Sequence, residues 1–180
     1  LNNHFFHFLY YTGCRLGEVL ALKWEDVDFY NEKVSINKTL FNKGYRKDKY
    51  LLTSPKTKSS NRQVQLNKKM IKVLQNYKIE IEKLANISIP KEKFLFGIDK
   101  PLPQTSIKRI KDETANKLNL PVIRLHDFRH SHASLLISLK VDPLFIADRL
   151  GHSKVSTTLD TYSHLFPGRQ KEIIKLLDEL

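Results

Sequence analysis

The amino-acid sequence predicts a mainly α fold with a small antiparallel β-sheet, which is the α+β class. Apolar residues recur with the 3.6-residue period of helices near both ends of the chain, and they alternate with polar residues between about 33 and 66. The 180 residues, 41% of them hydrophobic, are enough for one domain with its own core. No repeat, low-complexity tract or linker indicates a second domain.

The first predicted helix covers residues 2 to 12 and stops at Gly13, a residue type that suits a helix C-cap. A second helical pattern begins directly afterwards. Its apolar residues fall on one face and predict a buried stripe: Leu16, Val19, Leu20 and Leu22.

The segment from about 33 to 66 predicts roughly three antiparallel strands. Val34 and Ile36 alternate with polar residues, and so do Val64 and Leu66. The polar stretch from Ser54 to Asn61 contains a proline and is typical of a turn between two strands.

A long helix is predicted to begin near Asn67 and to end before the Ile87–Pro90 break. A further helix is predicted from about Gln104 to Leu118. Asp127 precedes the next helix, and Asp142 caps one that has Pro143 in its first turn and ends at Gly151. Residues 156–158 can open a short helix that carries Tyr162. After a break at 167–168, a final amphipathic helix is predicted to run to Leu180.

Charge and composition limit the functions that this protein can have. The formal net charge of +12 predicts a polyanionic partner such as nucleic acid, although a basic protein without such a partner has the same charge. One cysteine excludes an internal disulfide and a thiol-rich zinc site. The sequence contains no run of about 18 apolar residues of the kind that predicts a membrane span. Its first residues lack the features of a signal peptide. Because the chain opens on Leu1 within a helical pattern, we expect a fragment of a longer protein.

Polar residues in unusual local contexts point to phosphate chemistry. His126 and Arg129 are three apart at a predicted helix start, so they project to one side, although this pair alone is a weak signal. His152 follows a glycine at a helix end, and Arg15 follows a turn at the start of a buried helix. Two arginines, a lysine and two histidines can hold one phosphate dianion, and a tyrosine beside them is a nucleophile aimed at phosphorus. The six candidate residues are Arg15, Lys56, His126, Arg129, His152 and Tyr162.

Five motifs, in this order along the chain, make the sequence resemble the catalytic domain of the tyrosine recombinases, in particular the integrases of phages and conjugative transposons. The resemblance covers essentially the whole chain. The motifs are Thr-Gly-Cys-Arg-Leu-Gly-Glu, Ser-Pro-Lys-Thr-Lys-Ser-Ser-Asn-Arg, Leu-His-Asp-Phe-Arg-His-Ser-His-Ala, Leu-Gly-His-Ser and Thr-Tyr-Ser-His-Leu.

The resemblance implies a role for each candidate. Arg15 and Arg129 match the two arginines that clamp the scissile phosphate, with His126 assisting proton transfer. His152 matches a further hydrogen-bond donor, and Tyr162 matches the nucleophile that forms a 3′-phosphotyrosine. Lys56 matches the general acid, although Lys58 lies in the same turn and remains an alternative. Glu18 matches a supporting acidic residue.

The resemblance also implies the partners. We expect double-stranded DNA attachment sites, a homotetramer on DNA formed through the last helix, DNA-bending accessory proteins and an excisionase. We expect no cofactor, no metal and no membrane, and a cytoplasmic enzyme of a phage, prophage or other mobile element. The whole chain is expected to form one catalytic domain, without the N-terminal core-binding and arm-binding domains. Lys47, Lys58 and Arg62 are predicted to lie along the DNA, together with other basic residues of the sheet region: Lys43, Arg46 and Lys49.

Three alternatives remain open. A type IB topoisomerase shares the nucleophile and the basic pocket, but the short spacing from His152 to Tyr162 favours a recombinase. A catalytically silent DNA-binding module would not need all six candidate residues. A metal-dependent nuclease would need a carboxylate cluster that the sequence lacks. His130 and His132 are predicted to pack or cap rather than to bind a metal.

Overall fold

A computed structural model describes residues 2–42, 50–54, 58–166, 174 and 177–179. Its helices are α1 (Asn2–Thr12), α2 (Leu16–Ala21), α3 (Lys68–Ala85), α4 (Gln104–Lys117), α5 (Asp127–Ser138), α6 (Pro143–Leu150) and α7 (Val155–Tyr162). Its strands are β1 (Val27–Asp28), β2 (Lys33–Ile36), β3 (Thr39–Asn42), β4 (Tyr50–Thr53) and β5 (Arg62–Gln65). The mainly α architecture agrees with the prediction from the sequence.

The strands form two small antiparallel sheets instead of the single sheet that was predicted. In the described residues, β1, β2 and β5 form one sheet in that order, and β3 pairs with β4 in the other. The polar stretch after β4 therefore connects strands of different sheets. The chain leaves the first sheet after Ile36, where the Lys38 ammonium bonds the buried Asp26 carboxylate at 2.8 Å. Alternation of apolar residues predicted the strands but not their pairing.

The helix ends follow the signals in the sequence. Gly13 and Gly151 adopt positive φ angles of 65° and 69°, a conformation that glycine reaches without steric cost, at the ends of α1 and α6. The side chains of Asn67 and Asp142 accept hydrogen bonds from Met70 N and Leu144 N at the starts of α3 and α6. The helix that carries Tyr162 begins at Val155, one residue before the predicted start.

The larger of two hydrophobic clusters lies among α1, α2, α3 and the three-stranded sheet. Its aromatic centre contains Phe5, Phe8, Tyr77 and Phe96, none of them more than 1% exposed. The Phe96 ring lies edge-on to Phe5 at 5.2 Å and to Phe8 at 5.6 Å. This cluster fixes the turn between α1 and α2, where Arg15 lies.

A smaller cluster joins α5, α6 and α7. Its buried members are Ala133, Ile137, Ile146, Leu150 and Tyr162. The candidate nucleophile is therefore itself a core residue of this part of the protein.

Ile174 and Leu177 of the predicted final helix have exposed side chains. The other members of its apolar stripe, Ile173, Leu176 and Leu180, lie outside the described residues, as does the predicted break at 167–168. Among the helices described, none is long and apolar enough to cross a membrane.

Candidate active site

Arg15 precedes α2 and reaches across to the end of α6. Its backbone N–H and its Nη1 donate to the two carboxylate oxygens of Glu18, at 2.8 Å and 3.0 Å. Its Nη2 donates to the carbonyl oxygen of Gly151 at 3.2 Å. These hydrogen bonds orient the guanidinium, while 40% of the Arg15 side chain remains exposed.

Glu18 is held mainly by Arg62, whose guanidinium grips both carboxylate oxygens at 3.0 Å and 3.1 Å. Burial acts to raise the pKa of Glu18, but the hydrogen bonds and charge of Arg62, helped by Arg15, hold it below its usual value. Two-point pairing of this kind is the strong form of a carboxylate–guanidinium contact. Glu18 therefore stays ionised and orients Arg15.

Arg62 lies inside the protein, with 4% of its side chain exposed. Beyond Glu18, its Nε donates to the carbonyl oxygen of Arg149 at 2.8 Å, and its Nη2 approaches the Cys14 sulfur at 3.7 Å. This placement favours a structural role over the DNA contact predicted from the sequence. The signal for that contact was charge alone, which does not distinguish a buried arginine from a surface one.

Arg129 projects from the first turn of α5 into the protein, and 3% of the residue is exposed. Its Nη1 donates to the carbonyl oxygen of Gly13 at 2.9 Å, while Nη2 has no hydrogen-bond partner among the described residues. Burial, with Arg15 as the next cause, lowers the pKa of Arg129 to about 10. A buried guanidinium with an unused donor and a cationic neighbour is suited to bind an anion.

His152 follows the left-handed turn at Gly151. Its Nδ1 lies 2.8 Å from the hydroxyl of Thr158, which is fully buried in α7. Burial, followed by the charges of Arg129 and Arg15, lowers the pKa of His152 to about 4. The ring is therefore neutral at pH 7. If the Thr158 hydroxyl donates to Nδ1, the ring proton lies on Nε2, where it is a hydrogen-bond donor.

Tyr162 ends α7, and 4% of the residue is exposed. Its hydroxyl lies 2.7 Å from Nδ1 of His130. Burial raises the pKa of Tyr162, and the positive charge of Arg129 acts in the opposite direction. The contact with His130 was missed in the sequence, where this histidine was expected to pack or cap. Its position four residues after His126, on the same helix face, was the available signal.

His126 immediately precedes α5 and is the most exposed of the site histidines that the structure describes. Its ring meets the His130 ring edge-on, with centroids 4.8 Å apart. Partial burial, then His130 and Arg129, lower its pKa. His126, Arg129 and His130 thus share one helix end, as the pattern His-x-x-Arg predicted for the first two.

His132 is buried behind the site. Its Nε2 accepts a hydrogen bond from Nε of Arg149 at 3.0 Å, and Nη2 of Arg149 donates to the carbonyl oxygen of Tyr11 at 3.1 Å. Burial and the charge of Arg149 lower the pKa of His132 to about 4. This histidine packs, as predicted, and holds α5, α6 and the end of α1 together.

The structure brings five of the six candidate residues together. Arg15 bonds the carbonyl oxygen of Gly151, next to His152, and Arg129 bonds that of Gly13, two residues before Arg15. The charge of Arg129 also acts on His126, His152 and Tyr162. Lys56 and Lys47 lie outside the described residues, and so do Lys43, Arg46 and Lys49. For Lys58 only the backbone is described, in a 3₁₀ turn. No group of three or more histidine, cysteine or acidic residues within the described ranges could hold a metal ion.

Comparison with protein families agrees with this geometry. The model of the phage integrase family matches residues 2–169. The chain belongs to that family. It is 38% identical over 180 residues to the ICEBs1 integrase of Bacillus subtilis (strain 168), an alignment that covers 98% of this chain and 48% of that protein. A tyrosine recombinase XerC-like protein of Caldanaerobacter subterraneus subsp. tengcongensis is 28% identical, with coverage of 94% and 47%.

Two solved structures share the fold of this family member. The Tn1549 transposon integrase in complex with circular intermediate DNA matches with a TM-score of 0.74 and 22% identity, over 99% of this chain and 58% of that one. The XerH recombinase in a post-cleavage complex with a palindromic difH substrate matches with a TM-score of 0.65 and 26% identity, over 98% and 46%. The predicted resemblance and fold class are confirmed. The chain spans about half the length of the curated relatives it matches.

Proposed function

We propose that this chain is the catalytic domain of a site-specific DNA recombinase, an integrase of a mobile element. It cleaves and rejoins DNA strands through a 3′-phosphotyrosine. The observation that carries the proposal is the buried Arg129, whose Nη2 has no partner among the described residues and whose charge acts on both Arg15 and Tyr162. Arg15 itself is partly exposed. Membership of the phage integrase family supports the same reaction.

The arginines act on the phosphate. Attack on a phosphodiester builds negative charge on its non-bridging oxygens, and donors already in place stabilise that charge. Arg129 offers Nη2, Arg15 offers donors of its partly exposed side chain, and His152 offers a neutral ring N–H. Removing one such donor typically costs about 10²- to 10³-fold in rate. Glu18 and Gly151 fix Arg15 before DNA arrives, so little rearrangement is needed.

The nucleophile and the leaving group each need a proton transfer. Tyr162 attacks phosphorus, the P–O5′ bond breaks, and the 5′ oxygen must gain a proton because an alkoxide is a poor leaving group. Lys56 is the proposed general acid, with Lys58 as the alternative. The covalent phosphotyrosine retains the free energy of the broken phosphodiester bond. A 5′-hydroxyl of another strand then reverses the step and rejoins the DNA. His126, at the mouth of the site, contacts a phosphate oxygen and assists proton transfer.

The proposed partners follow from the same reaction. The substrate is a double-stranded DNA attachment site, and the net charge of +12 suits it. Four protomers assemble on two such sites through the last helix, where Ile174 and Leu177 present apolar side chains. The same proposal includes two kinds of accessory protein, which are DNA-bending proteins and an excisionase. It also includes N-terminal core-binding and arm-binding domains in the complete protein, and a cytoplasmic location.

The test uses a nicked suicide substrate made from the ends of the parent element, incubated in EDTA with the complete protein. Loss of the short 5′-hydroxyl fragment prevents rejoining and traps the adduct. Wild type is expected to form a covalent protein–DNA adduct that a denaturing gel resolves. Tyr162→Phe is expected to form none, because it lacks the nucleophilic oxygen, and to bind the same DNA with nearly unchanged affinity.

Three results contradict the proposal. An adduct formed by Tyr162→Phe excludes Tyr162 as the nucleophile. DNA binding by wild type without any adduct favours a catalytically silent DNA-binding module. If an adduct forms but supercoils relax without strand exchange between two sites, a topoisomerase-like reaction replaces recombination.

A further inference from the structure

The hydroxyl of Tyr162 has one hydrogen bond in the described part of the structure, to Nδ1 of His130 at 2.7 Å. This is a normal length for a strong hydrogen bond, in which the Tyr162 hydroxyl donates when the ring proton of His130 lies on Nε2. His130 follows Arg129 directly on α5, so its side chain leaves the helix about 100° further round. Arg129 reaches Gly13 near the phosphate-binding arginines, while His130 reaches the nucleophile on α7. The first turn of α5 thus carries both Arg129, proposed to bind the phosphate, and the histidine that contacts Tyr162.

The His130 ring is held in place by its neighbour. The His126 ring stands edge-on against it, with centroids 4.8 Å apart, and the Tyr162 ring approaches from the other element at 5.7 Å. His126 is exposed, while His130 is half-buried and Tyr162 is buried. Among the described residues, His130 is therefore the histidine in contact with the attacking oxygen. His126 contacts the His130 ring and lies closer to the surface.

A buried tyrosine needs help to ionise. The hydroxyl of an ordinary tyrosine is almost fully protonated at neutral pH, and burial disfavours the phenolate further. Arg129 acts in the opposite direction through its charge, but it makes no hydrogen bond to the Tyr162 oxygen in this structure. A base in direct contact can remove the proton as the bond to phosphorus forms.

We propose that His130 is a catalytic residue, the general base that accepts the Tyr162 proton in cleavage and returns it in rejoining. This assignment rests on the recombinase function proposed above. It separates the work of two neighbouring histidines: His130 acts on the nucleophile, and His126 acts at the phosphate.

The proton and electron balance closes within the site. As the Tyr162 oxygen donates an electron pair to phosphorus, its proton moves to Nδ1 of His130, which becomes an imidazolium. The electron pair of the breaking P–O5′ bond stays on the 5′ oxygen, which takes a proton from the general acid. In rejoining, the 5′-hydroxyl loses its proton to that acid's conjugate base, and His130 reprotonates the departing tyrosine oxygen. No oxidant, metal or co-reactant enters.

The variants His130→Ala and His130→Asn separate chemistry from positioning. Asparagine places its carbonyl oxygen close to the position of Nδ1, so it can hold the Tyr162 hydroxyl, but an amide does not take up a proton at neutral pH. Single-turnover adduct formation by the complete protein on the suicide substrate is measured with saturating enzyme. Both variants are expected to be slower by about 100-fold or more, the usual scale of general-base catalysis.

Controls establish that the variants are folded. Both should bind the DNA with wild-type affinity and melt near the wild-type temperature. His7→Ala serves as the matched control, because His7 lies on α1 against the Tyr11 ring, whereas the Tyr162 hydroxyl contacts His130 on α5. It is expected to form adduct at the wild-type rate.

Two further readouts report on the proton itself. Added imidazole is expected to restore part of the rate of His130→Ala, because a small base can enter the space left by the ring. A substrate with sulfur in place of the bridging 5′ oxygen has a leaving group that needs no proton. It is expected to rescue Lys56→Ala, or Lys58→Ala if that lysine is the acid, and to leave the His130→Ala defect in place.

The outcomes distinguish this assignment from the function on which it rests. A wild-type rate for His130→Ala, full activity of His130→Asn, or cancellation of the defect by the sulfur substrate would each overturn the base role alone. Failure of imidazole to restore any rate also counts against it. A wild-type protein that binds DNA but forms no adduct contradicts the recombinase function, and the base role falls with it.

Discussion

The two halves of the site are built differently. The arginine cluster, made of Arg15, Glu18, Arg62, Arg129 and Arg149, lies against the larger hydrophobic cluster, and buried Glu18 and Arg62 each make several hydrogen bonds within it. The tyrosine cluster, made of His130, His152, Thr158 and Tyr162, lies on the smaller one and is joined by two single hydrogen bonds.

This difference suits the two proposed tasks, which are binding of the phosphate and attack by the tyrosine. A phosphate is bound best by charges fixed before it arrives, because little free energy is then lost in ordering them. A nucleophile must change partner, from a neighbouring base to phosphorus, and a single hydrogen bond permits that exchange. We therefore expect substitutions in the arginine cluster to change stability most, and substitutions in the tyrosine cluster to change the cleavage rate most.

The largest effect on stability is expected for Glu18→Gln. The substitution removes the negative charge that pairs with buried Arg62 and orients Arg15. Breaking a buried ion pair from one side typically costs about 3–5 kcal/mol, because the remaining charge is left uncompensated. Chemical denaturation monitored by circular dichroism measures the free energy of unfolding.

The matched control is Glu113→Gln on α4. Glu113 pairs with Arg109 one turn away, and both side chains are more than 60% exposed. An exposed pair of this kind contributes about 0.5 kcal/mol or less. Equal losses in the two variants would mean that the arginine cluster is no more tightly coupled than the surface.

The second effect is a pH dependence that involves His132, the partner of Arg149. Its folded pKa of about 4 lies below the ordinary histidine value, so the unfolded chain binds the proton first. Its stabilising contribution is therefore complete above about pH 6.5 and is lost as the pH falls toward 4, by roughly 3 kcal/mol.

His132→Gln removes this titration and can keep an acceptor near Arg149. The free energy of unfolding of the variant is expected to fall less than that of wild type between pH 6.5 and pH 4. His152 titrates in the same range in both proteins, so the difference between the two curves isolates His132. Parallel curves would show that His132 can accept a proton without disturbing the cluster.

Among the changes within the site, the smallest effect on stability is expected in the tyrosine cluster, from Thr158→Val. The substitution keeps the shape of a fully buried side chain but removes the hydroxyl bonded to His152. Loss of one such hydrogen bond costs about 1 kcal/mol. The cleavage rate is expected to fall about tenfold, since the ring of His152 loses the contact that fixes its orientation and tautomer.

Suicide-substrate kinetics and thermal melting on the same preparation test this contrast. If Thr158→Val loses more stability than Glu18→Gln and still cleaves at the wild-type rate, the comparison between the two clusters is reversed.

Much of this arrangement was readable in the sequence because local signals are strong where backbone geometry is demanding. Gly13 and Gly151 marked helix ends, and Asp142 with Pro143 marked a helix start. The five sequence motifs identified the family, and the fold class follows from membership of that family. The pairing of strands into two sheets was not predicted, because alternation defines which face of a strand is buried but not its neighbour.

Two contacts depended on tertiary packing that no spacing rule describes. Arg62 and Glu18 are 44 residues apart, and His130 and Tyr162 are 32 apart. The positive charge of Arg62 suggested a surface position, but the guanidinium is buried because the Glu18 carboxylate pairs with it. His130 stood next to a candidate residue, but its direction was decided by the packing of α5 against α7.

The single thiol of the chain lies within the arginine cluster. Cys14 is 2% exposed, its sulfur faces the Arg62 guanidinium, and burial raises its pKa. A thiol reagent can reach it only when the turn between α1 and α2 moves away from Arg62. The labelling rate of Cys14 therefore measures how often the arginine cluster opens, and this measurement needs no engineered probe.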